Sequence, residues 1–465
     1  MLVMKFGGSS LANAERLRLV ADVVQARRER RPCVVLSAMG DTTNRLFAAA
    51  TAARGGDRDG FARELDHVFG HAHATADLLL GEAAAVHAAL QQLRQDVDTL
   101  LRGTHLLREL TARTNDAIVA HGERLSTLLM TALLRERGLP AEHVDARRLV
   151  RTDNRFGAAW PQRPVMRELA ATQLLPLLAD GRIVVTEGYV GATAEGATTT
   201  LGRGGSDWSA ALLGEALGVD EVQIWTDVEG VLTADPRVVA EARPVPTLSP
   251  AEAAELAAFG AKVLHPATIQ PAVDAGIPVT VRHSLRPDGA FTTIDPKRQA
   301  SARHAVAALA CRGPITVLTM TSTRMLAAAG YLSRLFAAFA ELDICVDLVA
   351  TAEVSVACTV EADAPIDALV ARLDGLARVD ISRDRAIVAA VGEGLRRTPH
   401  VLERASRALH PIVPELVSFG GNERNLSFVV RREEMAAAMQ KLHGEFFTVP
   451  AVRPAHGLGG AEAGR

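Results

Sequence analysis

The 465-residue chain predicts an α/β fold, a mainly parallel sheet covered on both faces, followed by two smaller α+β modules. Short apolar strands alternate with helical patterns through the first two thirds, the signature of a parallel sheet with helices packed on it. Glycine-bearing polar clusters fall just after those strands, where open α/β sheets place their ligands. After about Ala300 the order of elements repeats, which marks a duplicated module.

The elements follow in order. Leu2 to Phe6 is an apolar strand, then Gly7-Gly8-Ser9-Ser10, then a helical pattern over residues 14–28. "PCVVLS" (32–37) is a second buried strand, followed by "AMGDTTN" and another helix. A long helical region covers residues 60–137, with a polar break expected at 113–116. "RIVVTEGYVG" (182–191) is a strand running into a loop. "TLGRGGSDWSAALLGEALG" (200–218) is a glycine-rich turn leading into a helix, with Ser206 or Asp207 as the expected cap. "EVQIWTDVEGVLTADPR" (221–237) is a strand followed by turn chemistry, and "IPVTVRH" (277–283) a further strand. The repeat has two βαββα copies. One starts at "PITVLTM" and contains "CVDLVATAEVSVACTV"; the other starts at "RAIVAAVGE" and contains "PELVSFGGNERNLSFVV". The tail after Pro454 is Gly/Ala-rich and expected to be flexible.

Composition removes several classes of function. With 48% hydrophobic and 23% charged residues the chain reads as an ordinary soluble globular protein. A net charge of −3 with three tryptophans and two tyrosines offers neither the basic face nor the aromatic platforms of a nucleic-acid binder. No apolar run is long enough to span a membrane, and MLVMKFGGSS is no signal peptide. The four cysteines, Cys33, Cys311, Cys345 and Cys358, show neither zinc spacing nor a disulfide framework, so a cytoplasmic location is expected.

Four strand-terminal clusters carry the chemistry. In Lys5-Phe6-Gly7-Gly8-Ser9 a cation precedes glycines whose N–H groups lead into a helix, an arrangement that can hold phosphate without being a Walker A loop. The second cluster is Ser37 to Asn44. The third is His121-Gly122-Glu123-Arg124, whose Glu123 taken alone would be half of an exposed helix salt bridge. The fourth is Gly202-Arg203-Gly204-Gly205-Ser206-Asp207. It reads either as a tight turn or as an anion cradle with Arg203 at its mouth.

Together, "KFGGSS", "SAMGDTTN", "HGERLS", "TLGRGGSDWSAALLGEAL", "WTDVEGVLTADPR" and "FGAKVLHPAT", in that order, resemble an aspartate kinase of the amino-acid-kinase fold. The resemblance covers nearly the whole chain. It implies a three-layer catalytic domain over residues 1–295 and a connector over 296–313 that lends a strand to the second module. Two ferredoxin-like ACT modules follow over 314–385 and 386–450, then a tail over 451–465. It implies transfer of the ATP γ-phosphoryl group to the side-chain carboxylate of L-aspartate, the entry to lysine, threonine, methionine and diaminopimelate synthesis. Residue by residue, it implies that Lys5 stabilises charge on the transferring group and that Asp207 orients it. Thr43, Glu123 and Arg203 hold the substrate, with Glu123 on the ammonium and Arg203 on a carboxylate. Lys5, Gly7, Gly8, Ser9, Thr226, Asp227, Leu232, Arg237 and Lys262 hold the nucleotide. Mg2+ is implied as MgATP rather than in a protein cage. Leu232 stands where the family commonly has Tyr, and Trp208 where Tyr is usual.

The C-terminal modules resemble the lysine-sensitive, monofunctional type. The resemblance implies an effector site for L-lysine at an ACT dimer interface, formed by Met325, Gly330, Tyr331, Asp347 and Glu353. It implies a homodimer or homotetramer built through the ACT modules. Ala327-Ala328-Ala329 and Ala352 replace more polar residues of the family, and the lost hydroxyls predict inhibition that is weakened, absent or directed at another amino acid. A feedback-relaxed paralogue and a catalytically inactive amino-acid sensor are the rival readings. The four charges Lys5, Glu123, Arg203 and Asp207 oppose the sensor. No homoserine dehydrogenase region follows residue 465, so the bifunctional form is not expected.

Overall fold

The computed structural model describes residues 1–261, 264–298, 306–326 and 328–447; Lys262, Ala327 and the tail expected at 451–465 lie outside the described residues. The chain divides into two compact units, Met1–Leu232 with Pro244–Ser301, and Thr233–Arg243 with Ala302–Arg465.

Among the described residues the first unit holds ten strands: β1 Leu2–Phe6, β2 Pro32–Leu36, β3 Ala141–His143, β4 Ile183–Glu187, β5 Val190–Ala192, β6 Thr198–Thr200, β7 Glu221–Thr226, β8 Thr247–Leu248, β9 Val279–His283 and β10 Thr292–Ile294. Eight of them form one sheet in the order β3-β4-β2-β1-β7-β9-β10-β8, while β5 and β6 make a separate hairpin. Every neighbouring pair in the large sheet is parallel except β9 with β10. β1, β2 and β4 are buried at every position, as expected of strands covered on both faces.

The pleat of β1 decides what faces where. Leu2, Met4 and Phe6 join the core that contains the helices of residues 14–136. Val3 joins the opposite core, with Ala210, Leu212, Leu213 and Leu217 of the helix Gly205–Leu217. Lys5, two residues beyond Val3, therefore lies on the face covered by that helix.

The helical region expected at 60–137 is four helices, Arg58–Leu79, Ala84–Leu107, Ala112–Val119 and His121–Glu136. The break falls before residue 112, where Arg108 takes φ 57 and the Thr111 side chain caps the next helix by accepting from Thr114 N. Residues 113–116, expected as the break, are helical. Asp116 among them serves tertiary contacts, because it is only 1% exposed and accepts from three donors.

The second unit is one antiparallel six-stranded sheet. Its strands are β11 Ala308–Thr321, β12 Val349–Thr351, β13 Ser355–Glu361, β14 Arg378–Val391, β15 Leu416–Phe419 and β16 Asn425–Arg431, in the order β12-β13-β11-β14-β16-β15. β11 and β14 run antiparallel down the middle. Residues 315–321 of β11 pair with β13, while residues 308–312 pair with 387–391, the stretch of β14 that also pairs with β16. The helices Tyr331–Glu341 and Ile366–Leu373 pack against the first half, and Val401–Leu409 and Met435–Phe447 against the second.

The segment 233–243, which interrupts the first unit in sequence, is built into the second. Ala234 and Val239 enter its core. Thr233 Oγ1 meets His443 Nε2 at 2.9 Å and accepts from Arg243 N at 2.9 Å, and Gln440 Nε2 donates to Val238 O at 3.0 Å.

Candidate active site

One cleft of about 700 Å³ opens at the C-terminal ends of the strands of the first unit, lined by Lys5, Gly8, Ala38, Thr43, Glu123 and the loop Gly202 to Asp207, with Tyr189 and Gly157 beside them. Residues that the sequence separates by two hundred positions meet here because each lies at the end of a central strand or in the first turn of a helix or the loop leading into one.

Lys5 is the last inward position of β1. Its Nζ lies 2.7 Å from Asp207 Oδ1, and both side chains are mostly shielded from water. The helix bearing Asp207 starts at Gly205, with Gly204 at its cap position in the left-handed region (φ 71) and no side-chain cap. Ser206 and Asp207 therefore do not cap that helix, contrary to expectation. Asp207 sits within the first turn, and its carboxylate turns to Lys5. Glycine at 204 takes a conformation that costs other residues about 1–2 kcal/mol, and a Cβ there would also come 2.8 Å from Thr268 Cγ2. Arg203, at the tip, is exposed and makes no ion pair among the described residues.

Glu123 stands on the first turn of the helix His121–Glu136 and is 3% exposed. Its Oε1 accepts from Ala38 N at 3.2 Å, and Oε2 meets no hydrogen-bond donor among the described residues. The close approach depends on Gly122, where a Cβ would come 2.9 Å from Ala38 Cβ. Burial pushes the Glu123 carboxyl up to about 8, and the neighbouring Glu187 adds to this; the Ala38 N–H and Lys5 pull the other way. The expectation of an exposed helix salt bridge is thereby overturned: Glu123 is buried, lines the cleft, and has one oxygen that meets no donor among the described residues.

Glu187, at the end of β4, is 1% exposed but satisfied, by Thr127 Oγ1 at 3.0 Å, Ala146 N at 2.8 Å and His143 Nε2 at 2.6 Å. Gly8 is needed for close packing, since a Cβ would lie 2.9 Å from Ala38 O. The Gly7 N–H is already donated to Trp225 O at 3.1 Å, so it is not free for an anion.

The cleft thus gathers Lys5, Gly8, Thr43, Glu123, Arg203 and Asp207, and its lining does not include Gly7, Ser9, Thr226, Asp227 or Leu232. Ser9 is exposed, Thr226 Oγ1 donates to Asp227 Oδ1 at 3.1 Å, and Leu232 forms a backbone bridge with Pro244. Arg237 is exposed and held by Asp235 at 2.6 Å on the segment that packs with the second unit. Sequence reasoning missed Tyr189, which lines the cleft. Tyr189, one of two tyrosines in the chain, sits at φ 67 with its N–H donated to Ser209 Oγ at 2.9 Å. Its scarcity in "EGYVG" and that loop's place after a strand were the available signals.

In the second unit the expected effector residues take different places. Met325 and Gly330 lie in the turn before the helix Tyr331–Glu341. The Tyr331 ring is core, with its hydroxyl donating to Leu376 O at 2.7 Å, and Glu353 is exposed. Asp347 Oδ1 accepts from Arg312 at 2.8 Å, and Oδ2 is buried with no hydrogen-bond partner among the described residues.

Comparison with known proteins agrees with this geometry. Residues 1–283 match the amino acid kinase family, and residues 388–446 match an ACT domain. Lysine-sensitive aspartokinase 3 of Escherichia coli is 39% identical over 460 residues, 96% of this chain and 99% of that one. Aspartokinase 1, chloroplastic, of Arabidopsis thaliana is 37% identical over 461 residues, 96% of this chain and 80% of that one. The crystal structure of E. coli aspartokinase III in complex with lysine and aspartate (T-state) superposes with a TM-score of 0.82 at 38% identity, covering 96% of this chain and all of that one. The same enzyme with aspartate and ADP (R-state) gives 0.77 over the same coverage. The chain belongs to the aspartokinases of the amino acid kinase family.

Proposed function

We propose that this chain is an ATP-dependent aspartate kinase that transfers the γ-phosphoryl group to the side-chain carboxylate of L-aspartate, giving 4-phospho-L-aspartate and ADP. The observation that carries this is the buried Oε2 of Glu123 and the guanidinium of Arg203, neither partnered among the described residues, in one cleft with the Lys5–Asp207 pair. A carboxylate for an ammonium and a guanidinium for a carboxylate suit an amino-acid substrate. The side-chain carboxylate, ionised at neutral pH, needs no general base. Its oxygen attacks the γ-phosphorus, and the bond to the bridging oxygen of ADP breaks. Catalysis then rests on positioning and on charge stabilisation. Lys5 shields the transferring group, Asp207 orients Lys5 and the reacting centre, and Thr43 helps fix the substrate. Mg2+ enters as MgATP, held mainly by the phosphates. Gly8, Ser9, Thr226, Asp227, Leu232 and Lys262 are assigned to the nucleotide.

L-lysine is the proposed feedback effector, with Asp347 as the group facing its ammonium and Met325, Gly330, Tyr331 and Glu353 around it. The lysine-sensitive relative supports this. The outer strands of the second sheet carry exposed valines, Val349 on β12 and Val417 on β15, which favours a homodimer or homotetramer through these modules. Free cysteines among the described residues fit a cytoplasmic enzyme.

The test is turnover of ATP with L-aspartate, trapping the acyl phosphate with hydroxylamine. Aspartate hydroxamate should form, and Arg203→Ala should nearly abolish it at low aspartate. Folded protein that binds ATP and forms no hydroxamate would sink the substrate assignment.

A further inference from the structure

Asp116 belongs to none of the motifs and does not line the cleft, yet it is among the most completely engaged carboxylates of the first unit. It is 1% exposed. Oδ2 accepts from Gly157 N at 2.8 Å and from Thr200 N at 2.9 Å, and Oδ1 accepts from Thr200 Oγ1 at 2.8 Å. Burial raises its pKa and the three donors oppose that. A buried carboxylate costs stability unless donors are fixed around it, so its position is tightly specified.

The three donors lie on two segments that flank the Arg203 loop. Gly157 lines the cleft, and a Cβ on Gly202 would come 3.1 Å from Gly157 O, so the 157 turn lies directly against the start of that loop. Thr200 is the last residue of β6, two positions before Gly202; its carbonyl accepts from Ala159 N at 2.9 Å, which ties the same two segments again. Thr200 also neighbours the Tyr189 phenol on the cleft wall. Asp116 itself lies on the helix Ala112–Val119, separated by Ala120 alone from the helix that carries Glu123.

We infer that Asp116 is a positioning residue for the reaction: it locks the Gly157 turn and the end of β6 to the helix pair that bears Glu123, and so sets where Arg203 stands relative to Glu123. The inference rests on the reading of Arg203 as the group that binds a substrate carboxylate. The loop tip makes no ion pair among the described residues, so its pre-organisation has to come from the segments around it, and Asp116 holds two of them, the end of β6 and the Gly157 turn packed against the loop's start.

The test is a double-mutant cycle on the full chain, with kcat, separate KM values for L-aspartate and ATP, and thermal melting for each variant. Asp116→Asn should raise KM for aspartate roughly 10- to 100-fold, the scale of a displaced positioning group. KM for ATP should stay within about twofold, and in the Arg203→Ala background the Asp116→Asn change should add no more than about twofold. An Asp116→Asn effect that falls equally on both substrates, or that persists in full without Arg203, would overturn the inference and leave Asp116 a structural residue. If Asp116→Asn does not fold, Thr200→Val removes one donor only. It should raise KM for aspartate several-fold, with Thr200→Ser restoring it; no change in Thr200→Val overturns the inference. An Arg203→Ala variant with parental KM for aspartate would instead refute the substrate reading, an outcome visible before the cycle is closed.

Discussion

Lys5 Nζ and Asp207 Oδ1 stand 2.7 Å apart, joining the first strand of the sheet to the first turn of the helix that covers it. The pair holds a compact cation at a defined point of the cleft. A Lys5→Arg variant keeps the charge but replaces the point donor by a planar fork. Its kcat should fall about 10²- to 10³-fold, as for loss of one transition-state donor. Both KM values should move little. A coupled ADP-release assay reads this, and parental kcat would remove Lys5 from the chemistry.

Glu123 links function to pH. Its folded-state pKa is raised to about 8, so the folded protein binds a proton that the unfolded chain has lost above the ordinary carboxyl range near 4.3. Stability contributed by this group is present at low pH and declines as pH rises toward 8. Glu123→Gln should therefore be more stable than the parent at pH 8, by about 1–3 kcal/mol, and the difference should shrink toward pH 5. In the parent, KM for aspartate should rise as pH falls below 8, because the ionised form recognises the ammonium; in Glu123→Gln that dependence should vanish. Melting curves and KM across pH 5–9 check both signs. A variant less stable than the parent at pH 8 contradicts the assignment.

Thr233 is 7% exposed and serves two partners at once, His443 Nε2 and Arg243 N. Thr233→Val keeps the shape and strands both. The expected loss is about 1–3 kcal/mol for buried polar groups left unpaired, read as a lowered denaturation midpoint of the transition that includes the C-terminal helix. Unchanged stability would mean that water replaces the hydroxyl at no cost.

Asp347 has one oxygen committed to Arg312 and one without a hydrogen-bond partner among the described residues. If that second oxygen receives the effector ammonium, Asp347→Asn should raise the lysine concentration for half-inhibition at least about tenfold, the scale of a lost charge-assisted bond. Activity without lysine should remain near parental. Inhibition curves decide it, and an unshifted midpoint places the effector elsewhere.

Much of the site was legible in the chain because each cluster is local: a cation before glycines, or an arginine and an aspartate in one turn, implies its own geometry. One further signal was available. The chain has only four lysines, at 5, 262, 297 and 441, among 51 lysines and arginines. A sequence that uses arginine almost everywhere yet keeps lysine at position 5 places a point charge there. The capping role expected of Ser206 or Asp207 was misread because a cap competes with any stronger partner. A lysine on a neighbouring strand is such a partner, and it is invisible in the local pattern.

Taken alone, the sequence determined the alternation of strands and helices, the strand-end position of three of the four polar clusters, and the duplication of the C-terminal module; the cluster of Glu123 instead opens a helix that follows another helix. Period, turn chemistry and order of elements are local properties of the chain. Only the tertiary structure decided which clusters share a cleft, that Glu123 is buried with one oxygen unpartnered among the described residues, that Asp116 ties two distant segments, and that residues 233–243 fold into the second unit. These depend on the pleat of β1, on which helix covers which face, and on desolvation. None of them exists until residues far apart in sequence are packed together.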